Sequence, residues 1–413
     1  MYNADIYRVM RAISLYYFTA FSCTPMLILF NKINLIEKDR EFMAERKTAP
    51  FRSDIVGSFL RPQNLKHARK LYAENKISMA ELKKTEDGSI RDLVAKEKQM
   101  GLKAVTDGEF RRRYWHLDFL AALKGIQEVK AEHWSVEFKG RQPKAATIKI
   151  VGKIGFEGHP FVEHFRYLYS VAGGSLCKMT IPSPSMLHLI CCVRATDYTP
   201  IKEYEDESKL YYDIAMAYQK AIRAFYDAGC RYLQLDDTSW GEFCDLQKRK
   251  AYKERGLDLD AIEKEYVKMI NLALEAKPDD MVITMHICRG NFRSTWFSSG
   301  GYEPVAEILF GHSKVDGFFL EYDSDRAGGF EPLRFIKNQQ VVLGLITSKY
   351  PELEAEGDIM KRIEEASKYV TLDQLCLSPQ CGFSSTEEGN VMTQEQQWAK
   401  VKLVQKIAKD VWG

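Results

Sequence analysis

The sequence lacks a dominant charge. Lysine and arginine number 59 against 57 acids, a net +2 over 413 residues, too little to point to nucleic acid or another polyanion as partner. It also lacks a disulfide framework. Its nine cysteines are odd in number and irregularly spaced, which fits a reducing cytoplasm, where a thiol is more often a ligand or a core filler. No glycine-rich phosphate loop, nucleophile elbow or dinucleotide fingerprint is present. No internal repeat or low-complexity linker divides the chain. What is there, 45% hydrophobic and 28% charged residues, is the composition of a globular protein with ample core.

One segment stands apart. The run AISLYYFTAFSCTPMLILF, residues 12–30, carries no charge and follows Arg8 and Arg11. It is long enough to cross a bilayer. Pro25, several polar residues and the lack of a clean cleavage site argue against an anchor, and Met43 offers an internal start. We read residues 1–45 as a leader outside the fold, with an anchor or a mis-assigned start as alternatives. Residues 46–413 are read as one cytoplasmic domain with no membrane partner; the oligomeric state has no sequence signal.

From residue 50 onward short apolar runs alternate with longer amphipathic stretches. The runs are DIVGSF (54–59), KAVTDGEF (103–110), CKMTIPS (177–183), YLQLDD (232–237), MVITMHIC (281–288), DGFFLEYD (316–323), VVLGLIT (341–347) and QLCLSPQC (374–381). Between them, stretches such as 208–229 and 259–276 carry apolar residues at three-to-four spacing. Eight strands alternating with helices predict an α/β fold, a (βα)8 TIM barrel. The polar and β-branched alternation of residues 133–158 predicts an antiparallel β-hairpin inserted between strands 2 and 3.

In such a barrel the strand C-termini meet at one mouth. Nearly every run ends in a functional group: Ser58, Glu109, Asp236 with Asp237, His286 with Cys288, Glu321, Lys349 and Cys381. Strands often finish in polar residues, which accounts for any one of these but less well for the set. His286 and Cys288, two apart in a strand, share a face. With Glu321 and Cys381 they offer imidazole, two thiolates and a carboxylate, a donor set suited to tetrahedral zinc. Taken alone the His-x-Cys pair is a weak signal; the barrel order brings the four together.

Residues from about Phe51 to the C-terminus resemble the catalytic barrel of cobalamin-independent methionine synthases, in the short single-barrel bacterial form. VGSF, DGE, LQLDD, HIC, Glu321 and PQCG fall in that family's order. The resemblance implies that His286, Cys288, Glu321 and Cys381 hold Zn2+. It implies that Ser58 and the backbone around Val56 hold the carboxylate of homocysteine, and that Glu109 and Asp236 hold its ammonium group. The implied reaction is methyl transfer to the homocysteine thiol, giving methionine, from a methylated folate such as the polyglutamate of 5-methyltetrahydrofolate. A free thiol, with a pKa of about 8.5, is mostly protonated at neutral pH, and zinc would remove that proton.

Two departures from the family pattern stand out. Lys349 occupies the place of the family's proton-donating histidine, and would serve as the acid for the leaving nitrogen or bind an anionic donor. His188 stands where the family has a ring-stacking tryptophan, and Arg141 matches its folate-contacting arginine only loosely. Arg111, Arg112 and Arg113 could meet an anionic tail, though such a run more often marks a solvated loop. Trp115 and His116 are read as rim packing, Arg326 as an anion contact or an ion-pair partner of Asp323 or Asp325, and Cys191 and Cys192 as core. The alternatives to methionine synthesis are a zinc-dependent alkyltransferase with another thiol or methyl donor, a non-catalytic protein with structural zinc, and a metal-free decarboxylase-like barrel.

Overall fold

The computed structural model describes residues 46–130 and 146–413. Seven parallel strands form one sheet: β1 (Ala104–Val105), β4 (Leu176–Pro182), β5 (Tyr232–Asp237), β6 (Val282–Ile287), β7 (Gly317–Glu321), β8 (Gln340–Ile346) and β9 (Leu375–Pro379), hydrogen-bonded in that order. β5, β7 and β9 are buried at every position, as expected of parallel strands covered on both faces. Helices follow the strands, with starts set by local chemistry. Ser78 and Glu81 form a reciprocal cap on Met79–Gln99, and Asp206 and Asp258 cap Glu207–Asp227 and Leu259–Leu274, each satisfying a backbone N–H that the helix leaves unpaired.

The eighth expected strand, DIVGSF, is extended backbone with a single bridge. Ser53 pairs in parallel with Leu377 of β9, the Asp54 N–H donating to Leu377 O at 3.0 Å and the Leu377 N–H to Arg52 O at 2.9 Å. On its other side the Phe59 N–H donates to Gly108 O beyond β1 at 3.1 Å. The segment thereby joins the two sheet edges and closes the barrel. Its middle carbonyls have no strand partner; barrel side chains donate to them instead. Lys178 reaches Ile55 O, Gln234 reaches Val56 O at 2.8 Å and Thr106 reaches Gly57 O at 2.8 Å. Buried carbonyls need such donors, which is why Lys178, Gln234 and Thr106 tolerate full burial.

The barrel interior is filled. Val56, Ala104, Tyr232, Phe319, Val342 and Cys376 pack in one cluster, and Lys178 lies over the Tyr232 and Phe319 rings at 4.7 and 4.0 Å. The inserted hairpin is present, built from β2 (Lys124–Lys130) and β3 (Ala146–Gly155) in antiparallel register, Glu128 facing Ile148. Its first strand starts upstream of the stretch expected from the sequence. Residues 131–145, including Arg141, and the apolar run at 12–30 lie outside the described residues. Among the described residues no helix is long and apolar enough to cross a membrane.

Candidate metal centre and active site

Parallel pairing sets the site. Asp236 of β5 stands opposite His286 of β6, and His286 opposite Phe319 of β7. Glu321 ends β7, Cys288 follows β6 and Cys381 follows β9. One donor atom from each of His286, Cys288, Glu321 and Cys381 lies within 4.8 Å of the others, and all four side chains are buried. The two sulfurs are 3.6 Å apart.

Neighbouring groups aim these donors. His286 Nδ1 donates to Phe319 O at 3.2 Å, and Nε2 is buried without a hydrogen-bond partner. Backbone carbonyls orient metal-binding imidazoles in this way. Glu321 accepts from Gln380 Nε2 at 3.3 Å and from Arg326 at 3.2 Å. The Gly290 N–H donates to Cys288 Sγ at 3.3 Å. Arg326 also pairs with Asp323 at 2.8 Å, so its charge is spent within the site wall.

The electrostatics favour an anionic cluster. A hydrogen bond from the Cys288 thiol, against burial and with help from His286, holds Cys381 well below the usual thiol range. That same hydrogen bond, together with burial and Glu321, pushes Cys288 up. Burial raises the Glu321 carboxyl, but Arg326, Lys349, Arg289 and His286 outweigh it and bring it to about 2. Burial pulls His286 down, but Cys381, Asp236 and Glu321 outweigh that and hold it at about 9. An imidazole nitrogen with no hydrogen-bond partner, whose proton a cation would displace, paired sulfurs and an ionised carboxylate, buried within bonding reach of one point, fit a tetrahedral divalent cation.

The four metal-ligand expectations converge on one point; the acids gather beside them. Glu109 sits at φ +60, its backbone N–H donating to Asp107 Oδ1 at 2.8 Å. Its Oε1 accepts from Thr180 at 2.9 Å and faces Arg112 at 3.4 Å, while Oε2 is buried and bare. Burial raises its carboxyl above the usual range against the pull of Arg112 and Arg61. Burial pushes Asp236 up to about 7, His286 opposing and Glu109 reinforcing the shift. Ser58 Oγ accepts from the Ser384 N–H at 3.2 Å. Asp237 has no open position: Ser183, Ser185 and Ser239 all donate to it.

Cys288, Gly290, Asn291, Trp115, His116 and Thr238 line a cavity of about 810 Å³ that extends to β3 of the hairpin. Trp115 and His116, their rings 4.5 Å apart, are therefore cavity wall as well as rim. Lys349 is fully buried, donating to Gly290 O at 3.1 Å and lying 3.4 Å from Asn291 Oδ1. His188 is elsewhere. Its nitrogens face Tyr266 OH at 2.9 Å and Glu207 at 3.0 Å, and its ring packs on Tyr211. Those contacts leave no free face on which a donor ring could stack.

The arginine run is not an open anion site, and only Arg113 is exposed. Arg111 pairs with Glu86 and Asp87, Arg112 donates to Thr180 O at 2.6 Å, and Arg113 pairs with Asp118 and Glu128. Two site residues had no sequence signal. Arg289 is buried and donates to Gly300 O at 2.8 Å and Tyr302 OH at 2.7 Å; Gln380 joins Glu321 to the Ser348 N–H. In the sequence Arg289 reads as a loop residue, and Gln380 as an unassigned member of the run that ends in Cys381.

Residues 51–409 match the family model described as cobalamin-independent synthase, catalytic domain. An uncharacterised Bacillus subtilis protein, YxjH, is 50% identical over 371 residues, covering 89% of this chain and 96% of its own. A Listeria monocytogenes crystal structure, of a candidate vitamin-B12-independent methionine synthase, is 44% identical. It covers 89% of this chain and 100% of that one, with a TM-score of 0.72. A B12-independent methionine synthase from Shewanella sp. W3-18-1, solved with selenomethionine, shares the fold at 20% identity and a TM-score of 0.66, covering 87% and 96% of the two chains. A TIM-like barrel with a four-donor cluster at the end of its strands and a family match across most of its length thus belongs to the cobalamin-independent methionine synthase family, and is a methyltransferase.

Proposed function

We propose that this protein transfers a methyl group from a methylated folate to the thiol of homocysteine, giving methionine, with zinc held by His286, Cys288, Glu321 and Cys381. The observation that carries the reading is the buried cluster of two sulfurs, imidazole and carboxylate, one member of which, Cys288, lines the large cavity. A purely structural site would be closed on all sides. When bound, zinc supplies a Lewis-acidic centre at which a thiol is held as thiolate, and this electron-rich donor set keeps that sulfur nucleophilic.

The chain's own residues do the rest. Glu109, whose Oε2 has no partner, and Asp236 are two buried acids that burial pushes toward the neutral form; an ammonium group between them would hold both as carboxylates. Ser58 and the backbone at Val56 lie on the segment facing those acids and would take the carboxylate. The Shewanella relative's selenomethionine complex supports an amino-acid ligand for this mouth. The donor would occupy the 810 Å³ cavity, with Trp115 and His116 as aromatic wall. Transfer forms the sulfur–carbon bond, breaks the nitrogen–carbon bond and leaves a nitrogen that needs a proton. Lys349, buried beside Gly290 and Asn291, would provide it.

The test is direct. Purified protein is analysed for metal and assayed for methionine from homocysteine with 5-methyltetrahydrofolate, as monoglutamate and triglutamate. Stoichiometric zinc and methionine formation are expected; zinc without methionine from either folate would move the reading to a different donor or acceptor.

A further inference from the structure

The two halves of the proposed amino-acid site come from distant parts of the chain. Val56 and Ser58 lie on the closing segment, and Asp236 ends β5. One buried side chain touches both. Gln234 Nε2 donates to Val56 O at 2.8 Å and to Asp236 Oδ1 at 2.7 Å, so both amide hydrogens are committed. Its Oε1 is buried with no partner, and Gln234 is itself fully buried. The amide has one workable orientation, since turning it over would set Oε1 against two acceptors. A buried, bare carbonyl is unfavourable, so a side chain chosen for packing alone would be apolar here. The neighbours reinforce the pattern: Lys178 and Thr106 also donate to this segment, but neither is hydrogen-bonded to a proposed substrate-binding acid.

We propose that Gln234 is a positioning residue. It sets the separation of the carboxylate-binding segment from Asp236 and aims the Asp236 oxygens, and so lets the site demand an amino group as well as a thiol and a carboxylate. This rests on the homocysteine reading above. Gln234 touches no reacting atom; it acts through Val56 and Asp236. Its chemical consequence is selection for α-amino thiol acids over plain thiol acids.

Discrimination is the readout. Calorimetric binding of homocysteine is compared with that of 4-sulfanylbutanoate, the same thiol acid without the amino group, using the purified full chain. Wild type should prefer homocysteine by at least about tenfold, the value of one well-formed charged contact. Gln234→Met, which keeps the side chain's length and shape, should lose most of that preference while holding wild-type metal content. Gln234→Glu, nearly isosteric and with one fewer donor at best, should lose it too, and serves if the Met variant fails to fold. A variant that folds and discriminates as well as wild type would overturn the proposal alone. Wild type indifferent to the amino group would overturn the homocysteine reading, and the proposal with it.

Discussion

Cys288 and Cys381 stand sulfur to sulfur at 3.6 Å, although the strands they follow, β6 and β9, have β7 and β8 between them. Only the curl of a closed barrel brings two non-neighbouring strand ends so close. Removing one partner should therefore undo the centre. We expect Cys381→Ser to lose bound metal and all methyl transfer while keeping its circular dichroism spectrum. We also expect metal-stripped wild type, treated with a thiol oxidant, to gain a Cys288–Cys381 cross-link by peptide mass spectrometry, and metal-loaded protein to resist it. Cross-linking indifferent to metal would mean that the cation sits elsewhere.

Lys349 should matter to turnover and little to metal. Lys349→Ala is expected to keep its zinc and lose about 10² to 10⁴ in kcat, the range for a missing general acid. Full activity in this variant would remove the lysine from the mechanism.

Gly382 gives way to Ser58. A Cβ built there would fall 2.0 Å from Ser58 Oγ and 3.3 Å from its backbone nitrogen, so Gly382→Ala has to push the closing segment. The expected result is a homocysteine KM raised about tenfold, for a loss of about 1.4 kcal/mol, with metal retained. An unchanged KM would place the carboxylate away from Ser58.

His159 should make the fold lose stability on mild acidification. Its Nε2 donates to Phe119 O at 2.9 Å and its Nδ1 accepts from the Phe161 N–H at 3.2 Å, a pattern that only the neutral ring satisfies. Burial pulls its pKa down to about 4, against about 6.5 in an unfolded chain. Between those values the unfolded state binds a proton the folded state refuses. The His159 contribution is thus complete above about pH 6.5 and declines toward pH 4, at up to about 1.4 kcal/mol per unit. Burial holds His116 and His164 down as well, so the His159 share is a difference. His159→Asn, which keeps a capping acceptor, should lose about 2 kcal/mol less than wild type between pH 7 and 5 in urea melts. Parallel losses would assign the effect to other groups.

The four clustered side chains are legible in the sequence because each sits where an apolar run meets polar residues, and a parallel barrel turns that position into a place in space. Seven of the eight expected runs contain strands. DIVGSF looks like a strand by composition, yet its carbonyls are met by Lys178, Gln234 and Thr106, residues far away in sequence and individually unremarkable. The same distance hides Arg289 and Gln380, whose roles depend on Glu321 lying alongside. It also misleads at His188, where a helix turns the ring toward Tyr211 and Glu207. The arginine run misleads differently: three adjacent cations suggest exposure, yet acids elsewhere take Arg111 and Arg113 while Arg112 turns inward to the Thr180 carbonyl and Glu109. Strand order is written locally, whereas the partners of buried polar groups are not.

The four proposed cation donors are spread over an arc from β6 to the residues after β9, and the barrel's final strand delivers the last of them. Until that strand docks and the ring shuts, a refolding chain has ligands but no coordination sphere, so tight cation uptake reports on ring closure. Chelator resistance, followed during refolding, would time the moment at which the barrel becomes whole.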